Sequence, residues 1–201
     1  MARVKDISKG GSLFARIGFL YSRWKFGRVP QPLRIAALHS KILKGYSLME
    51  MAQEKAKRVS GAIKILAQVR VATIIGCPFW IDIGSAVSRE LGITEEKLQE
   101  LTNYENSSLF SSEEKAVLKY ADAMTSNPAE IPDEIFKKIK IYFDDSQIVE
   151  LTSAIAWENY RARFDHALKV ESQGYSEGAF CPLPVDNNIL DSKKWLLRFA
   201  F

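Results

Sequence analysis

Val69-Arg70-Val71-Ala72-Thr73-Ile74-Ile75-Gly76-Cys77-Pro78-Phe79-Trp80-Ile81-Asp82 is the stretch on which the reading of the fold turns. Its first half ends a segment, residues 62–75, that is apolar on more than one helical face, as expected of a helix at the centre of a domain. Gly76 stops that helix. Pro78 fits the first position of a new one running to Leu91-Gly92, which sets Cys77 at or beside the helix cap. Arg70 and the Gly76-Cys77-Pro78 break hold the apolar run below the roughly 20 residues of a membrane span.

Outward from this stretch almost every segment has helical period, and no alternating run flanked by hairpin turns is found, so the expected fold class is all-α. Leu13, Phe14, Ile17, Leu20, Tyr21 and Trp24 predict a first helix ended by Gly27 and Pro30. A second is expected over residues 32–43, ending near Gly45, and a third from Tyr46-Ser47 to Ser60-Gly61. Downstream, Thr94 opens a short helix through Leu101, and Ser111-x-x-Glu114 is a capping box for a helix to about Met124. Pro132 begins another. Asp144-x-x-Gln147 resembles a second capping box, before the longest helix, which reaches about Val170. The expected organisation is an N-terminal helical extension over 1–60 packed on the core, the core over 61–170, and a tail over 171–201 whose apolar end, Trp195 to Phe201, docks on its own core or on another subunit.

The chain has 201 residues, 47 % hydrophobic and 26 % charged, enough for one good core. Two cysteines do not make a disulfide framework, and the first six residues lack the apolar core of a signal peptide; both point to a cytoplasmic protein. Net charge is +4, and the first 30 residues hold seven basic side chains against Asp6 alone. Such a start could touch anionic lipid, nucleic acid or an acidic partner subunit, although a solvated basic face is the plainer reading; no nucleic-acid partner is expected, and a membrane surface is the less favoured reading. The two histidines and two cysteines show none of the short spacings of a metal site, and no glycine-rich phosphate loop occurs, so neither metal nor cofactor is expected.

The quoted stretch, with Leu91-Gly92-Ile93-Thr94-Glu95-Glu96-Lys97, Phe110-Ser111-Ser112-Glu113-Glu114-Lys115-Ala116, Gln147 to Thr152 and Asn159-Tyr160-Arg161-Ala162-Arg163-Phe164, resembles the carboxymuconolactone decarboxylase and alkylhydroperoxidase-D-like family over roughly residues 60–170. The resemblance implies a compact helical fold assembled into homo-oligomers. It also implies a redox pattern, E-x11-C-x-x-C-x-x-x-H, in which Glu and His relay protons, the second Cys attacks a hydroperoxide and the first resolves it. Cys77 matches the first cysteine. The glutamate falls on Ile65, the attacking cysteine on Trp80 and the histidine on Gly84. Neither Ile65 nor Trp80 can carry a proton or an oxidising equivalent, so the usual dithiol chemistry is not expected.

Three readings remain. In the first, Ile65, Trp80 and Gly84 line an apolar pocket for a small hydrophobic molecule, Gly84 leaving room beside Trp80. Glu158 and His166, on the largely apolar long helix with Ile148, Leu151, Ile155, Ala162 and Asp165, then supply acid–base chemistry. Structural pairing of Glu158 and His166 with Arg161 or Arg163 is the competing account, as a packed core role is for Cys77. In the second, Cys77 reduces hydroperoxides alone or with Cys181 as a distant resolving thiol. In the third, the protein is a non-catalytic assembly or membrane-surface protein.

Overall fold

A computed structural model describes residues 2–7 and 11–176. The described residues form nine α-helices and one 3-10 turn and no strand: α1 Leu13–Phe26, α2 Gln31–Ala36, α3 Ser40–Lys55, α4 Gly61–Ile75, α5 Pro78–Glu90, α6 Glu95–Gln99, α7 Ser112–Thr125, α8 Asp133–Tyr142 and α9 Asp145–Ala167, with the 3-10 turn at Glu100–Asn103. The all-α expectation holds, and the capping boxes at Ser111/Glu114 and Asp144/Gln147 are both closed, each satisfying two N–H groups that the helix leaves open.

Helix α4 is the centre. One face, with Ile63, Ala67 and Val71, meets Val117 and Ala121 of α7, Ile139 of α8 and Leu151 and Ile155 of α9. Another, with Ile65, Leu66 and Val69, packs on Leu98, Leu101, Tyr104, Phe110 and Leu118. An amphipathic helix could not do this; the two-sided apolar character of its sequence is what permits it.

The region before residue 60 departs from expectation. The helix expected to run unbroken to residue 43 breaks after Ala36, and His39, in extended conformation, caps α3, its Nδ1 accepting from the Ile42 N–H at 3.4 Å. Gly45, read as a stop, lies inside α3. The break turns α3 so that Leu43 packs with Ala15 of α1 and Ala36 of α2, a burial that outweighs the modest helical cost of one internal glycine. α3 is tied to α9 by Glu50–Arg161 and by Gln53 Nε2 donating to Ser153 Oγ at 2.7 Å.

At the other end, Asp82 of α5 accepts the backbone N–H groups of Gln173, Tyr175 and Ser176 and the Ser176 hydroxyl, at 2.7 to 3.1 Å. Tyr175 lies under Arg28, 4.0 Å from guanidinium carbon to ring centre. Residues 173–176 are thereby stitched to α5 and to the end of α1. Cys181 and the apolar segment 195–201 lie outside the described residues.

Candidate functional site

The turn between α4 and α5 positions Cys77. Gly76 takes φ +74°, a left-handed conformation open to glycine, and Cys77 follows as the extended N-cap residue of α5 with Pro78 at the first helical position. Its thiol is fully buried among Ile35, Phe79, Ala162 and Val170. Burial pushes that thiol up to about 12, helped by the carboxylates of Asp165 and Glu158, while the nearby Trp80 and Phe79 amides at the helix start, which form no cap hydrogen bond to it, oppose the rise without overcoming it.

One turn on, Trp80 is only half-buried. Its indole Nε1 donates to Asp165 Oδ2 at 2.6 Å, and the Arg161 guanidinium carbon sits 3.8 Å above its ring centre. Glu158, Arg161 and Asp165 stand at intervals of three and four on the buried face of α9. Arg161 Nη2 donates to Glu158 Oε2, and Nη1 to both Glu50 oxygens at 2.9 and 3.1 Å. Trp157 Nε1 also donates to Glu50, at 3.0 Å. Tyr46 stacks obliquely on Trp157, and burial first, then the charge of Glu50, raises its phenol well above the ordinary range.

Two carboxylates, Glu50 and Glu158, thus share one guanidinium, and a third, Asp165, stands beside them on the Trp80 indole. Burial pushes Glu158 up to about 7 against the pull of Arg161, and it pushes Asp165 to about 7 against the Trp80 hydrogen bond. Glu158 Oε1, Asp165 Oδ1 and Arg161 Nε are buried without a hydrogen-bond partner. Satisfied buried polar groups are the rule, so three open atoms in one cluster are consistent with a place where a ligand or a proton is handled.

The structure brings Cys77, Trp80 and Glu158 together but not the rest of the expected site. Ile65 belongs to the cluster on the other side of α4, with Leu98 and Tyr104. Gly84 leaves no room beside Trp80: a Cβ there would stand 2.6 Å from Val69 Cγ2, so the glycine marks the close approach of α5 to α4. Ile65, Trp80 and Gly84 therefore do not line one pocket. His166 is exposed, with Nδ1 2.9 Å from the Gly76 carbonyl oxygen, and faces a separate cavity of about 350 Å³ with Ile74, Ile75, Thr125, Asn127 and Arg163; it does not join Glu158. Eight residues along a helix carry a side chain about 80° around the axis, enough to part the two. Arg161 and Asp165 were missed as site residues although their spacing from Glu158 on an apolar face carried the signal; Glu50 and Tyr46 carried none. Among the described residues no group of three or more His, Cys, Asp or Glu could hold a metal ion.

No family model matches the chain. The uncharacterized protein YnjA of Escherichia coli (strain K12) is 30 % identical over 122 residues, 61 % of this chain and 67 % of YnjA. The solved alkylhydroperoxidase AhpD core, an uncharacterized peroxidase-related protein from Ralstonia eutropha JMP134, superposes with a TM-score of 0.78 at 14 % identity, covering 91 % of this chain and 97 % of the other. The debrominase Bmp8 superposes with a TM-score of 0.75 at 14 % identity over 86 % and 93 % of the two chains, and a variant of it is solved in complex with 2,3,4-tribromopyrrole. Likeness to YnjA over two thirds of its length sets the chain in one family with that protein, and the architecture shared with the AhpD core over 91 % of the chain shows an alkylhydroperoxidase-D-like helical fold, as the motifs around Cys77 led one to expect.

Proposed function

We propose that this family member works without a redox dithiol, binding a small apolar or aromatic molecule at Trp80 and moving a proton with the Asp165–Glu158 pair, with no cofactor. The observation that carries this reading is the open buried oxygen on each of the two carboxylates, Oδ1 of Asp165 and Oε1 of Glu158, around one guanidinium and one indole. Carboxyls near 7 exchange protons in both directions at neutral pH, which is what general acid–base catalysis needs. Trp80 is the partly exposed member beside Asp165; turning its indole away frees Asp165 Oδ2 and leaves the Arg161 charge facing the incoming molecule. In a proton transfer, Asp165 would take a proton from an acidic carbon or heteroatom. In a decarboxylation it would give one to the carbon that keeps the electron pair when carbon dioxide leaves. The tribromopyrrole held by a debrominase of like fold makes flat halogenated aromatics the first ligands to try.

Calorimetric titration of 2,3,4-tribromopyrrole and unhalogenated pyrroles and phenols tests this. Binding should weaken about tenfold or more in Trp80→Ala, since a large aromatic contact is removed. Asp165→Asn should hold the ligand but lose the pH dependence of binding near 7. Unchanged affinity in Trp80→Ala would sink the reading.

A second reading, hydroperoxide reduction by Cys77 with an external resolving thiol, draws on the two amides that point at the sulfur. Iodoacetamide labelling across pH, run beside peroxide consumption with a dithiol, separates the two. The acid–base reading expects slow labelling of Cys77 below about pH 10 and no turnover. Peroxide turnover abolished by Cys77→Ser would replace it with the thiol reading.

A further inference from the structure

Helix α1 presents its apolar side to the solvent. Ala15, Phe19 and Ser22 face inward, Ala15 against Ala36 and Leu43. On the opposite side Leu13, Ile17, Leu20 and Trp24, spaced four, three and four, are 74, 59, 65 and 81 % exposed, with Phe14 and Tyr21 alongside at 45 and 50 %. A helix with water on one side ordinarily turns charge outward. Here the outward stripe is apolar, and Arg16 and Arg23, seven apart, run along one edge of it.

The sequence around the stripe is strongly basic. Residues 7–49 contain eight lysines and arginines and no aspartate or glutamate. Beside α1, the start of α3 repeats the pattern, with Ile42 exposed between Lys41 and Lys44 and Leu38 exposed just before the helix. An apolar stripe with Trp and Tyr, edged by cations, is complementary to a surface that is anionic outside and apolar a few ångströms beneath.

We propose that the α1 face docks on an anionic phospholipid surface, Leu13, Ile17, Leu20 and Trp24 entering the headgroup boundary while the basic residues of α1 and the start of α3 lie among the headgroups. Two copies of the chain meeting through this face would set two predominantly basic helices against each other. A nucleic acid would match the charge but leave four large apolar side chains without a use. No described helix is long and apolar enough to cross a membrane, so the docking is parallel to the surface.

The test is co-sedimentation of the full chain with vesicles of phosphatidylcholine alone or with about 30 mol % phosphatidylserine. The expected result is binding to the anionic vesicles at least about tenfold tighter than to the neutral ones, weakened by salt. Ile17→Glu with Leu20→Glu should abolish it, and Arg23→Glu with Lys44→Glu should remove the preference for phosphatidylserine. All four positions are exposed, and an unchanged thermal melt confirms that the variants fold. A blue shift of tryptophan emission on adding vesicles, absent in Trp24→Phe, reports insertion without any change to the charge. Failure to bind anionic vesicles overturns the proposal, as does equal binding by the Ile17→Glu, Leu20→Glu protein. So does an oligomer that this variant dissociates, which would assign the face to a second copy, or binding to an oligonucleotide that is tighter than to vesicles and indifferent to the apolar substitutions.

Discussion

Trp80 occupies the third helical position after Cys77, and its indole N–H is committed to Asp165. That bond, with the guanidinium of Arg161 on its face, makes a bulky apolar residue part of a polar cluster, a role that residue type alone did not announce. Gly84 gives the converse lesson. In the sequence it reads as space at the position where the resembled pattern has a histidine; in the fold it is the absence of a Cβ that lets α5 lie on Val69. Gly84→Ala is therefore expected to destabilise the protein by about 1–3 kcal/mol, measured by chemical denaturation, because the neighbour is a stiff β-branched side chain of the central helix. An unchanged midpoint would mean that α5 can shift away from α4 at little cost. The position of Cys77 at a helix start was legible from Gly76 and Pro78, whereas its burial depended on Ile35, Ala162 and Val170 arriving from three other places in the chain.

At the scale of elements, the helices best marked in the sequence are those whose ends carry their own chemistry: Thr94, Ser111 and Asp144 each cap a helix with a side-chain oxygen. The break between α2 and α3 lacked such a mark and follows instead from where Leu43 must go. Residues 173–176 gather four of their hydrogen bonds on one residue, Asp82. Burial works against its carboxylate, but hydrogen bonds from the Ser176 hydroxyl and from the Ser176 and Tyr175 amides outweigh that and hold it below the usual carboxylate range. Asp82→Ala should release residues 173–176, seen as faster amide exchange at Gln173, Tyr175 and Ser176, with a loss of about 2 kcal/mol or more in stability. Exchange unchanged at those three amides would show that Arg28 over Tyr175 and the Gln31 amide donating to Gln173 suffice to hold the segment.

For the whole molecule, two sets of buried carboxylates pull stability in opposite directions with pH. Glu158 and Asp165 have folded values raised to about 7, so their contribution is complete below the unfolded carboxylate range and is lost as pH rises toward and through 7. Asp82 and Glu150 are depressed, so theirs is present above that range and lost as pH falls through their folded values. Melting temperature should therefore fall between about pH 5 and 8, and Glu158→Gln with Asp165→Asn should flatten that slope. A slope untouched by the double variant would place both carboxyls back in the ordinary range. By itself the sequence determined the helical class, the central α4 and the turn that carries Cys77, because periodicity, caps and breaks are local signals written within a few residues of one another. Only the tertiary structure decided that Trp80 bonds Asp165, that Arg161 joins Glu158 to Glu50 across 108 residues of chain, that His166 faces elsewhere and that Gly84 is a contact and not a space. Those facts depend on which helix faces which, and that is settled by how the whole set of apolar surfaces can be buried at once.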